Sequence, residues 1–488
     1  MDATHPPAGA DEPAPEAFGV RVAMIIERYL ADLPSRPVFT PYPANLAAAL
    51  AAEPVPAAGS DVDAVFAEFL EKVAPYPFGN GHPRFAAWVN SPPHPLGIAA
   101  EALAATMNPS VAGGNHAAVH VEHQVVRWFA ELAGFGGPPD GVGLLVSGGS
   151  AATLTAFAAA RHRAAARAGI DVRTQGLQGH GRRFLLYVGE EGHGCARKAA
   201  ELLGIGSAQV RTIGSDEAHR MRPDLLRAHL ERDRAEGGLP VAVMASAGTT
   251  GTGAVDPIGA IADACAEQDV WLHVDGAYGG PAVLLLERYA YERAAIARAD
   301  SLALDPHKWL YTPVDAGLLL LRDQQGARDT FSLVPPYLRT DEDPDGVGGP
   351  VWFSEYGFDQ TRPFRALKLW FLLKHLGTQG YRARIARDVA VAARLASTVD
   401  AAPDLELLAH GLSVVCFRCR PAGHPTEALD DLNRAVLRAV QLGGRAFFAG
   451  TTLDGVFALR ACVVNFGTTA SDVDAMVAEV RATLARHT

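Results

Sequence analysis

The sequence predicts an α/β protein with a large, mostly parallel sheet and a smaller α+β domain towards its C-terminus. Short apolar runs alternate with helical segments between about residues 143 and 321, as in a parallel sheet that helices cover on both faces. Strand and helix patterns alternate again after about residue 376. We therefore divide the chain into an N-terminal segment 1–79, a large domain 80–375 and a small domain 376–488.

Composition and charge exclude several classes of function. The net charge is −11 and the pI is about 5.9, which argues against nucleic acid or an anionic membrane as a partner. The apolar runs are short, so no membrane span is predicted, and the first residues lack the pattern of a signal peptide. The five cysteines are scattered, which fits a reducing cytoplasm. Cys416 and Cys419 have the spacing of a metal-binding pair, but a second pair is missing and a structural role is favoured.

The N-terminal segment is predicted to hold two amphipathic helices. Residues 1–17, rich in Pro and Ala, are expected to be a disordered tail. Apolar residues recur at helical spacing in 18–31 and again in 61–74, on either side of a Pro-rich linker at 34–43. A Pro-rich turn follows at 82–91.

The large domain contributes a series of short strands, each followed by a turn or helix. A polar loop at 108–116 precedes a helix predicted over 117–133. The predicted strands are Gly143–Ser147, Arg183–Val188, Gln209–Ile213, Val241–Ala245, Val270–Val274, Ser301–Leu304 and Ala316–Leu321. The small domain is expected to contain strands at Leu405–Leu408, Leu412–Arg420, Arg445–Phe448 and Val456–Val464, with helices at Glu427–Val440 and Ser471–Arg486.

The turn after the first strand is a candidate phosphate site. Gly148, Gly149 and Ser150 lead from this strand directly into a predicted helix. Glycines let the backbone approach a ligand closely, and a helix N-terminus offers free N–H groups to an anion. Many strand–helix turns look alike, so this turn is weak evidence when taken alone.

Asp275 and Lys308 are stronger candidates for chemistry. Asp275 ends the strand that begins near Val270, at the edge where open α/β sheets bind ligands. Lys308 is one of five lysines and follows a strand between Pro306-His307 and Trp309. A buried lysine has its pKa lowered by desolvation and can form a Schiff base with pyridoxal phosphate (PLP), whose pyridine nitrogen an aspartate can protonate. The alternatives are a helix-capping aspartate and a lysine that pairs with Asp305.

These segments resemble the group II amino-acid decarboxylases, which depend on PLP. The resemblance rests on His273-Val274-Asp275-Gly276-Ala277-Tyr278 together with Pro306-His307-Lys308-Trp309, and it extends from about His82 to Trp370. It implies PLP fold type I, the fold of aspartate aminotransferase, and a homodimer in which the N-terminal helices pack across the interface. It also implies an L-amino acid substrate that loses its α-carboxylate as CO₂.

The resemblance assigns roles to further residues. Those expected to hold the cofactor are Gly149, Ser150, His193, Thr250, Asp275, His307 and Lys308, with His193 stacked on the ring. Those expected to face the substrate are Trp88, Val89, Ser91, His116, His120 and Arg460. His116 and His120 stand where the family has other residues, because Val119-His120-Val121-Glu122 replaces its Thr-Glu-Leu-Glu run. No metal site is expected.

The long loop at 333–360 holds one departure from the family pattern. Relatives commonly carry a tyrosine in this loop that protonates Cα after CO₂ has left, and the matching position here is Phe353. In relatives with this exchange, the carbanion reacts with dioxygen instead and yields an aldehyde, ammonia and peroxide. A local gap would place Tyr356 at the acid position. Ordinary decarboxylation is the first hypothesis, and oxidative deamination is the alternative. An aminotransferase, a lyase and an inactive PLP-fold binding protein are less favoured.

Overall fold

The structure is a computed structural model that describes residues 15–79, 81–136, 142–333, 346–349 and 352–488. Part of the predicted tail and most of the loop segment 341–346 lie outside these ranges. The helices are α1 Pro15–Asp32, α2 Ala44–Ala52, α3 Val62–Glu68, α4 Pro95–Met107, α5 Ala117–Ala133, α6 Gly149–Arg167, α7 Cys195–Leu202, α8 Pro223–Ala235, α9 Ile258–Glu267, α10 Gly280–Leu285, α11 Ala290–Ile296, α12 Pro306–Trp309, α13 Gln324–Phe331, α14 Ala366–Asp400, α15 Leu429–Leu442 and α16 Ala470–Leu484. The strands are β1 Val142–Val146, β2 Phe184–Gly189, β3 Val210–Ile213, β4 Leu239–Ser246, β5 Trp271–Asp275, β6 Ser301–Leu304, β7 Gly317–Leu321, β8 Leu405–Gly411, β9 Val414–Cys419, β10 Ala449–Leu453 and β11 Val456–Cys462.

The large domain is built on a seven-stranded sheet in the order β1-β7-β6-β5-β4-β2-β3. The pairs β2·β3, β2·β4, β4·β5 and β5·β6 are parallel, whereas β7 runs antiparallel to both of its neighbours. The predicted α/β class with a mostly parallel sheet is therefore confirmed, and the sheet is mixed. The strands inside the sheet are buried, as their continuous apolar runs indicated, whereas the edge strand β3 is partly exposed.

The direction of the strands brings five chain segments to one edge of the sheet. β2, β4, β5 and β6 are mutually parallel, so their carboxyl ends lie at the same edge. Because β7 is antiparallel to both β6 and β1, β1 also ends there. The turns after these five strands therefore meet, and these turns carry the polar residues singled out from the sequence.

The small domain has a four-stranded antiparallel sheet in the order β10-β11-β9-β8. The strand predicted at Arg445–Phe448 is wrong: the strand is β10, Ala449–Leu453, and Phe447 forms only an isolated bridge with Phe85. Helix α14 leads into this domain and is interrupted at Gly377, whose φ of 62° favours glycine. The predicted boundary at 375/376 stays a prediction.

The N-terminal segment differs in detail from the prediction. Helix α1 begins at Pro15, before the expected start at Phe18, and α3 continues as a π-helical turn to Val73. Helix α2 of this segment and helix α4 of the large domain were not predicted, because their mostly small and apolar residues lack a polar face of clear period. In the described part of the chain, no helix is long and apolar enough to cross a membrane.

Candidate active site

A cavity of about 350 Å³ opens at the carboxyl edge of the large sheet. It is lined by Ser147, Gly148, Gly149, Ser150, Ala151, His193, Cys195, Gly248, Thr250, Asp275, Ala277, Tyr278, Asp305, His307 and Lys308. The seven residues that the sequence analysis assigned to the cofactor all belong to this lining. The convergence follows from the sheet topology, since each of them lies at the carboxyl end of a strand or a few residues beyond it.

Lys308 lies in the short helix α12, directly after β6. Its Nζ is 3.0 Å from Oδ2 of Asp305, so the pairing considered from the sequence as an alternative is present. Burial alone would lower the pKa of Lys308, but the carboxylates of Asp305 and Asp275 outweigh burial and raise this pKa. The expectation of a lowered lysine pKa is therefore wrong, because the sequence did not show that two carboxylates would converge on one ammonium group.

Asp275 ends β5 at the centre of the sheet. Its Oδ1 accepts a hydrogen bond of 3.1 Å from the N–H of Ala277, which fixes the carboxylate at the start of the turn. The neighbouring strands place Asp275 beside Ser246 and Ala303. This bond lies within the turn and is not a helix cap, because α10 begins at Gly280 with Gly279 at its N-cap and no side-chain cap. Asp275 also lines the cavity with Lys308.

The Gly148–Ser150 turn offers bare backbone to the cavity. A Cβ on Gly149 would lie 3.0 Å from the Cβ of Ala277 and 3.1 Å from Oδ2 of Asp305, so a larger residue would crowd the site. Gly317 on β7 packs against the same turn, where a Cβ would lie 2.5 Å from the Cα of Gly148. Helix α6 begins at Gly149 with no side-chain cap, so its first N–H groups are available to an anion.

Two histidines of the cavity wall each accept a hydrogen bond from a backbone N–H group at Nδ1. The Nδ1 of His193 accepts from the N–H of Cys195 at 3.1 Å, and the Nδ1 of His307 accepts from the N–H of Ala316 at 3.0 Å. A neutral ring with an accepting Nδ1 carries its proton on Nε2. Burial lowers the pKa of His307, which favours this neutral form.

Arg460 connects the small domain to the cavity. Its Nε donates to the carbonyl oxygen of Thr250 at 2.9 Å, and its Nη1 donates to that of Trp88 at 3.4 Å. The side chain is 5% exposed, and Nη2 has no partner among the described residues. Trp88 stacks on Phe78 with ring centroids 4.8 Å apart. The predicted residues Trp88 and Arg460 therefore lie together beside the Thr250 turn.

The remaining predicted substrate residues fall into two groups. Ser91 is buried, and its hydroxyl lies 3.5 Å from the carbonyl oxygen of His307, while Val89 packs on the large core. His116 precedes α5, and the Nε2 of His120 lies 2.9 Å from Oδ1 of Asn115. None of the six predicted substrate residues belongs to the cavity lining, and the structure does not bring His116 and His120 to Lys308 of their own chain.

Phe353 and Tyr356 are held away from the cavity of their own chain. Phe353 is 1% exposed, and the guanidinium carbon of Arg362 lies 5.0 Å from its ring centroid. The N–H of Ser354 donates to the carbonyl oxygen of Ala112 at 3.0 Å. The hydroxyl of Tyr356 accepts from the side-chain amide of Gln324 at 3.0 Å. These contacts join the segment to Arg362, to the loop before α5 and to α13.

Sequence reasoning assigned no role in the site to Asp305 and Cys195, two of the titratable residues of the lining. Asp305 appeared only as a pairing alternative for Lys308, although its position three residues before the lysine on a helical turn indicates the same side of the site. Cys195 follows His193 by two residues, and burial raises the pKa of its thiol to about 12. In the described part of the chain, no group of three or more His, Cys, Asp or Glu side chains could hold a metal ion.

Comparisons with known proteins agree with this geometry. The family model described as "Pyridoxal-dependent decarboxylase conserved domain" matches residues 43–420. An aromatic-L-amino-acid decarboxylase of Bacillus atrophaeus is 31% identical over 469 residues, 95% of this chain and 94% of that protein. A 4-hydroxyphenylacetaldehyde synthase of Rhodiola rosea is 27% identical over 91% of this chain and 89% of its own. The solved structure of Oryza sativa TDC with PLP and tryptamine superposes with a TM-score of 0.89 at 28% identity, covering 99% of both chains.

Proposed function

The chain belongs to the pyridoxal-dependent decarboxylase family, and on this basis we propose that it decarboxylates an aromatic L-amino acid at the cavity around Lys308. The fold is PLP fold type I, and the enzyme is a PLP-dependent amino-acid decarboxylase. The observation that supports the substrate class is Trp88, which is 47% exposed and stacked on Phe78 beside Arg460. An aromatic side chain of the substrate packs favourably on such a surface.

The residues of the cavity fit PLP. The Gly148–Ser150 turn and the N-terminus of α6 would hold the phosphate, Asp275 would hold a proton on the pyridine nitrogen, and Lys308 would bind the carbonyl carbon. The glycine at 149 supports this fit, since a Cβ there would enter the space beside Asp305. When bound, PLP supplies an electron sink for the pair that remains at Cα after CO₂ leaves.

The other side chains would orient the reactants. His193 carries its ring proton on Nε2 and would lie against the cofactor ring, while the Thr250 hydroxyl would bind a ring oxygen or Asp275. The unpartnered Nη2 of Arg460 is the group that we assign to the α-carboxylate of the substrate. A buried guanidinium nitrogen without a partner gains most from a carboxylate. Arg460 would thereby hold the scissile bond in one direction, and direction decides which bond at Cα breaks.

Phe353 bears on which product forms. A proton added at Cα gives an amine, whereas dioxygen and water at the same carbon give an aldehyde, ammonia and peroxide besides CO₂. Phe353 has no acidic proton, whereas Tyr356 keeps its hydroxyl proton, since this hydroxyl accepts a hydrogen bond from Gln324. We keep the amine as the first proposal and the aldehyde as the second. The aldehyde synthase among the relatives supports the second proposal.

A homodimer completes the proposal. Helix α1 and the π-helical turn after α3 border an apolar groove of about 1110 Å³, with Val20 and Met24 each more than 60% exposed. A second copy would cover this groove, as the family resemblance implies. Phe353 lies outside its own cavity, so we assign its action to the partner's site. The five buried, unpaired cysteines support a reducing, cytoplasmic compartment.

The test is a panel of L-amino acids with the purified enzyme and added PLP. CO₂, amine, aldehyde, ammonia and peroxide are measured together for each substrate. We expect turnover of aromatic amino acids to exceed that of acidic and basic ones by tenfold or more, a difference of about 1.4 kcal/mol in barrier. Preference for an acidic or diamino substrate would contradict the proposed substrate class and leave the decarboxylase assignment unaffected.

A further inference from the structure

The hairpin between β8 and β9 reaches from the small domain to the large domain beside the cavity. We call its turn, the residues Gly411–Ser413, the hairpin tip. Leu412 is 4% exposed and Ser413 is fully buried. The residues that line the cavity all lie between Ser147 and Lys308, in the large domain. The hairpin tip therefore bears on the cavity through the lining residues that it contacts.

Leu412 packs on two turns of the large domain at once. Gly248 begins the turn that carries Thr250, which we call the Thr250 turn, and Gly279 directly follows Tyr278. A Cβ on Gly248 would lie 2.9 Å from the Cδ1 of Leu412, and a Cβ on Gly279 would lie closer still. One methyl group of Leu412 is thus the shared packing partner of the turn after β4 and the turn after β5.

The backbone of Leu412 is strained. Its φ is 48°, in the left-handed region that favours glycine. A leucine at such a φ costs conformational energy, and it persists only where the surrounding structure holds it in place. The packing of the methyl group on the two turns is the gain that offsets this cost.

Ser413 holds the ring of Tyr278 through its hydroxyl. The N–H of Ser413 donates to the hydroxyl of Tyr278 at 2.9 Å, and the Oγ of Ser413 lies 2.6 Å from the same oxygen. Tyr278 lines the cavity, and its ring stacks on Trp309 with centroids 5.2 Å apart. Because Trp309 directly follows Lys308, two rings connect Ser413 with the segment that carries the lysine.

The small domain also contacts the backbone of the Thr250 turn. A Cβ on Gly411 would lie 2.7 Å from the carbonyl oxygen of Thr252, so the hairpin tip and this turn are in backbone contact. The Nε of Arg460, on β11, donates to the carbonyl oxygen of Thr250 at 2.9 Å. These contacts fix the path of the turn independently of the Thr250 side chain.

We propose that the hairpin tip is a positioning element of the active site, in which Leu412 and Ser413 hold the Thr250 turn and Tyr278 in one arrangement. The proposal rests on the proposed function, in which both walls enclose PLP. Neither Leu412 nor Ser413 lines the cavity, so each acts through the wall that it contacts. Where the walls are not held, part of the binding free energy of PLP is used to order them, and the affinity falls.

Four variants test the proposal. Leu412→Ala removes the shared methyl group, Leu412→Met keeps a side chain of similar volume, and Ser413→Ala removes the hydroxyl but keeps the N–H. Leu429→Ala is the matched control, since Leu429 is 1% exposed in the core of the small domain. Its carbonyl oxygen accepts from Asn433, which also binds Cys419 at the end of β9 away from the hairpin tip.

Two properties are measured: deuterium exchange of backbone amides in the full chain without PLP, over 248–253 and 276–280, and the PLP dissociation constant. We expect Leu412→Ala to exchange faster in both segments and to bind PLP about tenfold more weakly. Ser413→Ala should exchange faster over 276–280 alone. Leu412→Met and Leu429→Ala should match the wild type in both measurements, although Leu429→Ala unfolds at a lower urea concentration.

A Leu412→Ala protein that matches Leu429→Ala in exchange and in PLP affinity would overturn the positioning role. The role would also fail if Leu412→Met were as impaired as Leu412→Ala. Should Leu412→Ala not fold, wild-type exchange over 276–280 in Ser413→Ala would overturn it instead. Exchange is measured without PLP, so this result is independent of the proposed function, which a wild type unable to bind PLP would overturn.

Discussion

Trp309, the residue after Lys308, donates its indole N–H to Oδ2 of Asp388 over 2.9 Å. The hydroxyl of Tyr311 donates to the same oxygen at 2.8 Å. Trp309 also stacks on Tyr278, with ring centroids 5.2 Å apart, and the hydroxyl of Tyr278 lies 2.6 Å from that of Ser413. Trp309 thus joins the Lys308 segment to α14 through Asp388. Through Tyr278, it also joins this segment to Ser413 of the small domain.

This arrangement predicts a dependence of stability on pH. Burial raises the pKa of Asp388 to about 6, from an ordinary value of 3.8, although its two hydrogen bonds act in the opposite direction. The folded protein then binds more protons than the unfolded chain between these values, so Asp388 costs stability as pH rises through 6. Asp388→Asn should gain on the order of 2–3 kcal/mol relative to the wild type between pH 4.5 and 7.5, measured by urea unfolding.

Asp315 provides the matched control for that measurement. Burial would raise its pKa, but the bidentate contact with Arg365 holds the pKa below its ordinary value. Its contribution to stability is therefore lost only as pH falls below about 4. Asp315→Asn should leave the stability difference from the wild type constant over the same pH range. A constant difference for Asp388→Asn as well would contradict the assigned titration.

Asp275→Asn tests the proton held at the pyridine nitrogen. An asparagine can still accept the bond from the Ala277 N–H, so the local fold should persist, but it cannot stabilise a positive charge on the ring. We expect kcat to fall by about 10²–10³-fold while bound PLP is retained, as followed by its absorbance. Activity near that of the wild type would show that Asp275 acts only in the local turn.

Phe353→Tyr tests the choice between amine and aldehyde. If Phe353 occupies the acid position, a tyrosine there supplies the missing proton. The ratio of peroxide to CO₂ should then fall, and amine should rise to match. Tyr356→Phe should change this ratio little, because Tyr356 then does not occupy the acid position. The reverse pattern, with Tyr356→Phe abolishing the amine, would identify Tyr356 as the acid.

Met24→Asp tests the homodimer. Met24 is 65% exposed on α1 beside the apolar groove, and a charge there would have to be desolvated on association. We expect the variant to dissociate at concentrations where the wild type is a dimer by light scattering, with a matching loss of activity. Glu27→Gln on the same helix is the control and should remain dimeric. A fully active wild-type monomer would refute the proposal.

The elements that could be predicted from the sequence are those whose own residues carry the pattern. Helix α5 was predicted over the observed Ala117–Ala133 because its apolar residues recur on one face. Strand β10 was misplaced because Ala449–Leu453 is weakly apolar, and its pairing with β11 is what makes it a strand. The position of Phe353 against Arg362 also depends on contacts between distant segments, which no local pattern records.

In the candidate site too, features that depend on a local motif could be predicted, and features that depend on contacts between distant segments could not. Lys308 and Asp275 could be predicted because each follows an apolar strand in a specific motif. The raised pKa of Lys308 could not, since it requires Asp305 and Asp275 to meet at one edge of the folded sheet. His116 and His120 were assigned by resemblance to the family, and in this chain they lie apart from the cavity.

The central claim is that Lys308 binds the cofactor. The most direct test is borohydride reduction of the PLP-loaded enzyme, followed by peptide mapping of the labelled lysine, with Lys308→Ala as the comparison. We predict that the wild type carries the label on Lys308 alone, and that Lys308→Ala folds, acquires no label and has no turnover. A reducible adduct in Lys308→Ala, or a label on any of the other four lysines of the wild type, would contradict the claim.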